Sequence, residues 1–492
     1  MLKRTFATCA AIATAAAIGF AQAPGQQGPT TQGMVLKGKA PISRDVLKVK
    51  LPRPQTATLG SGLQLMVLED RRLPRVNFQI IIPGAGGYYE SAKQLGLAQY
   101  TAQMMREGTK SRTTLQMAQE LETLAAGVNA FAGLTSQSAT LSGGALTENI
   151  EKVFDIGADV LLNPTFPAEE WERVKARAKT GLLQQRTSPG FLANEHYQRI
   201  LYGDHPAGRA TVTAQTLDAI TRDAMVEWHR TRYIPDHALI AFAGDITLPD
   251  AKKLVETKLA AWKKAGVAKP TVTEPPPPGA PKVTLVARPS SVQTFLLVGA
   301  PSMTRLDADY PALTVANRVL GGTMGRLFRH LREEKGYTYG VGSGFSAGSY
   351  RGDWSASMSV RTAVTADAMR DLMAEIVEMR DKPVPPSEFE DVKRAIVAAF
   401  ALSLENANAI LNYYIQSWTY GLPADYWDTY PAKISAVTIE QAQAAAKKYW
   451  DPSRLHIIAV GDGPKMAPIF AAYGTVEMFD QDGKPMKPGS QP

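Results

Sequence analysis

"YIPDHALIAFAGD" (residues 233–245) returns later in the chain as "WDPSRLHIIAVGD" (450–462), and the two Gly-Asp pairs are separated by 461 − 244 = 217 positions. A second pair, "PAEEWERVK" (167–175) and "PPSEFEDVK" (385–393), repeats at 393 − 175 = 218. Two unrelated segments that share one offset predict duplication of a domain of about that size, since solenoid repeats are far shorter. Between the halves, "KPTVTEPPPPGAPK" (269–282) reads as a stiff proline-rich linker. The predicted organisation is an N-terminal domain at 46–268, the linker, a C-terminal domain at 283–472 and a polar tail at 473–492 that ends in "DQDGKPMKPGSQP".

Within the first half, "GLQLMVLED" (62–70) and "RVNFQIIIPGAG" (75–86) have strand patterning. Helical spacing follows over 95–106, and "TTLQMAQELETLAA" (113–126) is a helix opened by a Thr cap. "VNAFAGLTSQSATLSGG" (128–144) returns to period two, and helices follow at 147–163 and 167–185. Strands, helices and strands in this order predict an α+β fold with helices packed on a sheet.

Length and composition narrow the function classes. A chain of 492 residues with 45% apolar content has room for more than one core. "MLKRTFATCAAIATAAAIGFAQAPG" has the layout of a secretory signal over residues 1–23, with cleavage near Ala21 or Ala23, followed by a disordered segment at 24–45. A periplasmic or secreted protein is expected, with no integral membrane segment after signal removal. The single cysteine, Cys9, falls inside that signal, so disulfides and thiolate metal sites are excluded from the exported product. The net charge of +8 falls to +6 without Lys3 and Arg4 and is spread along the chain, which argues against a nucleic-acid partner.

The chemistry turns on "GLAQYTAQMMREGT" (96–109). Gln99 and Gln103 lie four apart and share a helix face, with Ala102 between them. Two histidines in that relation, with a carboxylate beside them, would make a hydrolytic zinc site. The frame Gly96, Leu97, Ala98, Met104, Gly108, Thr109 resembles the setting of the inverted H-x-x-E-H motif of insulinase and pitrilysin-type peptidases. All three chemical positions are replaced. The resemblance places a third, glutamate ligand on the helix that begins near Pro167, yet no acidic residue occurs between Glu172 and Glu195. None of the six histidines lies three or four positions from another, and "LANEH" (192–196) begins with Leu192 where a ligand would be needed. No catalytic zinc is expected in this chain.

"GGTMGRLFRHLREEKGYTYGVGSGFS" (321–346) resembles the stretch in which the family carries an arginine and a tyrosine seven residues apart to hold substrate backbone, here Arg332 and Tyr339. The resemblance covers about residues 50–470 and implies a tandem duplication of a metallohydrolase-like α/β roll with a mainly antiparallel sheet, similar to the subunits of the mitochondrial processing peptidase. It also implies that Asn129, Ala130 and Phe131 lie on an edge strand that takes up extended peptide. Simpler readings stand beside these. Arg332 also suits the last turn of a helix ended by Gly336, Tyr339 a half-buried strand, and 129–131 an ordinary strand. "GGTMG" lacks the Lys of a phosphate loop and reads as letting a helix start close to a neighbouring backbone. "RGD" (351–353) and "YGDHP" (202–206) read as structural turns.

The resemblance implies a non-catalytic subunit of a metalloendopeptidase, inactive alone, that supplies Arg332, Tyr339 and chamber wall to a zinc-bearing family partner in a heterodimer acting on peptides. The alternatives are a peptide-binding or scaffolding protein with no peptidase role, and an active hydrolase whose site follows none of these frames.

Overall fold

The computed structural model describes residues 48–486. The expected signal, the 24–45 segment and residues 487–492 of the tail lie outside the described residues. In the first half, β1 (Gln55–Thr58), β2 (Gln64–Glu69), β3 (Arg75–Pro83), β4 (Gly127–Phe131), β5 (Ser138–Leu146) and β6 (Leu239–Gly244) form one sheet in the order β1-β2-β6-β3-β5-β4. Only β2 and β6 run parallel within it. In the second half, β7 (Val283–Ala287), β8 (Gln293–Pro301), β9 (Val341–Phe345), β10 (Asp353–Arg361), β11 (His456–Gly461), β12 (Val476–Phe479) and β13 (Pro485–Met486) form the other, ordered β13-β12-β7-β11-β8-β10-β9. The fold is α+β. The repeat offset of 217 or 218 positions survives in space, since β6 and β11 occupy corresponding places, as do β3 and β8.

The first half carries helices α1 (Leu97–Met104), α2 (Thr114–Thr123), α3 (Ile150–Leu162), α4 (Ala168–Gln185), α5 (Pro189–Tyr202), α6 (Ala214–Ala219), α7 (Arg222–Arg232) and α8 (Leu248–Lys258). The second carries α9 (Tyr310–Gly321), α10 (Thr365–Asp381), α11 (Pro386–Ser403), α12 (Ala407–Tyr420), α13 (Tyr426–Ser435), α14 (Ile439–Tyr449) and α15 (Gly463–Phe470). The cap read at Thr113 is a full capping box, with the Thr113 hydroxyl accepting from Gln116 N and the Gln116 side chain accepting from Thr113 N.

Strand alternation decides which helices cover which face. In β2, Leu65 and Val67 join the core under the first half's own helices, whereas Met66 and Leu68 point to the opposite face. β6 divides in the same way, with Ile240 and Phe242 on one side and Leu239, Ala241 and Ala243 on the other. That second face is covered by α12, a helix of the other half, through Ile410, Leu411 and Tyr414. The arrangement is reciprocal. α5 covers Val286, Leu297, Ile458 and Val460 of the second sheet with Leu192, Tyr197 and Leu201, and the Tyr197 hydroxyl donates to Trp354 O at 2.5 Å. A sheet apolar on both faces needs cover on both, and each half supplies the other's second cover.

One expectation changes. Residues 473–486 do not leave the fold as a tail: β12 adds in parallel to β7 and pairs with β13, burying Met478 against the second core. Its few apolar residues, spread among charges, hide this pairing, which rests on backbone hydrogen bonds. The 269–282 linker, for its part, is docked. Thr273 meets the Tyr88 hydroxyl at 2.9 Å, and Arg351 of the "RGD" turn donates to Pro276 O at 2.7 Å.

Candidate functional site

Helix α1 forms because Leu97, Ala98, Thr101, Ala102, Met104 and Met105 turn into the first core. Its N-cap, Gly96, has φ +100° and no side chain to satisfy the first turn. Glu90 does so from outside the helix, accepting from Gly96 N at 2.7 Å and Ala98 N at 2.5 Å. Burial pushes the Glu90 carboxyl up to about 7 against the pull of these N–H groups. Arg209 fixes the loop that carries it, donating to Gly87 O at 2.6 Å and Glu90 O at 3.0 Å.

On this helix Gln99 is half-buried, Gln103 is exposed and Ala102 is fully buried. The helix that would bring a third zinc ligand is α4, and it presents no carboxylate there. Trp171 and Val174 are buried in the core and Ala178 and Leu182 pack against it. The Trp171 ring lies 5.5 Å from that of Tyr100. Lys175 pairs with Glu172 at 2.8 Å and Lys179 with Asp218 at 2.6 Å. Two amides, a methyl group and a lysine-bearing helix are a poor donor set for zinc, which takes imidazole, thiolate or carboxylate ligands. Among the described residues no group of three His, Cys, Asp or Glu side chains is arranged to hold a metal ion.

Beside α1 runs β4, the last strand of its sheet, paired only with β5. Val128 is buried, Ala130 is half-buried, and Asn129 and Phe131 project outward, Phe131 being 63% exposed. This is an open edge that can pair with an extended chain.

Arg332 and Tyr339 are brought together. Arg332 lies in a π-helical segment, Phe328–Glu334, and its guanidinium sits 4.5 Å from the Phe328 ring and 4.8 Å from the Tyr339 ring. Tyr339 is 88% exposed, not a half-buried strand residue. Basic side chains on the same segment do have acidic partners: Arg326 and Arg329 bind Glu388, and His330 meets Glu375 at 2.7 Å. Among the described residues Arg332 has no carboxylate within ion-pair distance.

The remaining motifs are structural. His196 and Glu195 of "LANEH" sit on α5 between the halves, His196 against Phe479 and Glu195 paired with Arg186 at 3.1 Å. His205 caps a turn by accepting from Ala207 N. In "GGTMG", Gly321 ends α9 so close to Ser343 that a Cβ would overlap it, so the close approach comes at the end of a helix and not at its start. Sequence reasoning missed Glu90 and Arg209, whose partners are backbone groups and leave no residue-type signal.

Comparison with known proteins bears on the family and the fold. The family model described as Insulinase (Peptidase family M16) matches residues 66–215, and that described as Peptidase M16 inactive domain matches 219–396. The chain belongs to the insulinase (M16) peptidase family. Among its relatives, an uncharacterized zinc protease of Streptomyces coelicolor is 24% identical over 405 residues, which is 79% of this chain and 86% of the relative. One of Bacillus subtilis is 26% identical over 363 residues, 72% of this chain and 85% of the relative. A crystal structure described as a peptidase M16 inactive domain from Pseudomonas fluorescens superposes with TM-score 0.74 at 26% identity, covering 83% of this chain and 98% of that one. The crystal structure of a protease from Helicobacter pylori shares the fold at TM-score 0.77 and 15% identity, covering 84% of this chain and 100% of that one.

Proposed function

We propose that this chain is the non-catalytic subunit of an exported insulinase-family metallopeptidase, closing against a zinc-bearing relative to form a chamber that hydrolyses peptides. The observation that carries the reading is the Arg332 guanidinium, stacked on Tyr339 with no carboxylate partner among the described residues, in a chain whose zinc positions read Gln99, Ala102 and Gln103. A guanidinium and a phenol free to donate can stabilise negative charge that develops on a scissile carbonyl oxygen, a role that needs no metal from the same chain. The partner supplies zinc and the H-x-x-E-H helix. The open edge of β4, at Asn129, Ala130 and Phe131, holds extended substrate through its backbone.

The test is to measure zinc content and cleavage of an unstructured peptide by the purified chain, alone and then mixed with an H-x-x-E-H relative. No zinc and no cleavage alone, with cleavage on mixing, is the expected result. Arg332→Ala and Tyr339→Phe should then each lower kcat of the mixture by about 100-fold while complex formation stays intact. Stoichiometric zinc and activity in the isolated chain would overturn the reading. Peptide binding without any gain on mixing would favour a scaffold instead.

A further inference from the structure

The second half has a counterpart of the altered zinc position. Gly108-Thr109 follows α1 and Gly322-Thr323 follows α9, and aligning the two Gly-Thr pairs sets Asn317 opposite Gln103. Asn317 is committed to structure. Its amide donates to Ser343 O at 3.2 Å and accepts from Ser343 Oγ at 2.7 Å and Trp354 Nε1 at 2.8 Å. Next to it, between α9, β9, α11, α12 and α13, is a cavity of about 570 Å³. That volume is in the range of small-molecule sites.

Its lining includes two arginines and no acidic residue. Arg305 is only 5% exposed, and its guanidinium lies 3.8 Å from the Tyr310 ring, with the rings of Tyr426 and Trp427 at 5.0 and 5.5 Å. Nη1 donates to the Tyr426 hydroxyl at 2.7 Å. Among the described residues neither Arg305 nor Arg318, an exposed residue of α9, has a carboxylate within ion-pair distance. Stacking on aromatic faces lowers the cost of burying a cation but leaves in-plane N–H donors without a charged acceptor. The rest of the wall is largely apolar or aromatic, with Phe345, Phe400 and Tyr430 among its members.

We propose that this cavity binds the free carboxylate of a chain ending in a large apolar or aromatic residue. The planar guanidinium edge matches a carboxylate, and the adjoining rings take the side chain carried on the same residue. An Asp or Glu side chain would bring the charge but leave the aromatic walls unfilled. β9 links the cavity to the Arg332–Tyr339 pair, because Phe345 lines it and Tyr339 lies six residues earlier, at most ~20 Å of extended chain. That the carboxylate belongs to a peptide rests on the function proposed above; that the ligand is a carboxylate does not.

The experiment is titration of the isolated full chain with N-acetylphenylalanine, N-acetylphenylalaninamide, N-acetylglutamate α-amide, whose only carboxylate is on the side chain, and inorganic phosphate, by calorimetry and tryptophan fluorescence. The acid should bind at least tenfold more tightly than the phenylalanine amide, and Trp427→Phe should remove the fluorescence change. Arg318→Gln, on an exposed position, and Arg305→Lys, which keeps charge but not planarity, should each weaken the acid at least fivefold. Equal binding of acid and amide, tighter binding of the glutamate probe or phosphate, no binding at all, or affinity unchanged in both arginine variants overturns the proposal. Loss of probe binding in a chain that still activates its zinc relative removes this site alone. Retained binding without activation removes the chamber reading alone.

Discussion

Glu90 shows what a single side chain can do from outside the helix it serves. Its carboxyl, held at about 7 in the fold against a usual 4.5, binds a proton more tightly in the native state than in the unfolded chain. The resulting stability is fully present below pH 4.5 and is lost as pH rises through about 7, an effect of at most about 3 kcal/mol. His456, buried beside Lys282 and pushed down to about 4 mainly by burial, works in the opposite sense: its contribution is present above 6.5 and lost as pH falls through 4. Glu90→Gln should therefore steepen the rise of stability with pH between 4.5 and 7, read from urea midpoints across that window; an unchanged slope would contradict the assignment. At this scale the sequence singles out positions where residue type is itself the signal, as at Gln99, Ala102, Gln103 and Arg332. It was silent on Glu90 and Arg305, whose roles come from backbone N–H groups and rings brought together by folding.

The two exchanged helices are the elements that join the halves. Their apolar periodicity is visible in the sequence, and their starts, Pro189 and Ala407, lie 218 positions apart, but nothing local says that each covers the other half's sheet. Periodicity identifies a buried face without naming what buries it. The same limit hid β12, whose place in the sheet is set by its parallel pairing with β7. Leu411, fully buried on α12 against the first sheet, tests the exchange. Leu411→Ala should cost about 3 kcal/mol, and the first half's near-ultraviolet signal should fall with the rest in one transition. A stability loss confined to the second half would contradict this interlocking.

Across the molecule, the duplication read from two short repeats accounts for both sheets and for the family, since an α+β unit used twice leaves its offset in both sequence and space. How the copies cover one another follows only from the fold. Residues 46–268 expressed alone should fail to give a native-size, cooperatively unfolding species, because Met66, Leu68, Leu239, Ala241 and Ala243 would face water. Co-expression with 283–492 should restore a one-to-one complex in size-exclusion chromatography. A stable isolated first half would show that the exchange is dispensable. The same arrangement sets a clock on biosynthesis. The strands of the first sheet are complete at Gly244, but the helix that shields its rear face ends only at Tyr420. At ribosomal speeds of ~5–20 residues per second, that interval lasts roughly 10–35 s. Any part of the first half that folds in that interval shows water the apolar face that α12 later covers, so whatever holds the chain unfolded until residue 420 has emerged protects it, and a pause before residue 407 lengthens the exposure without changing any amino acid.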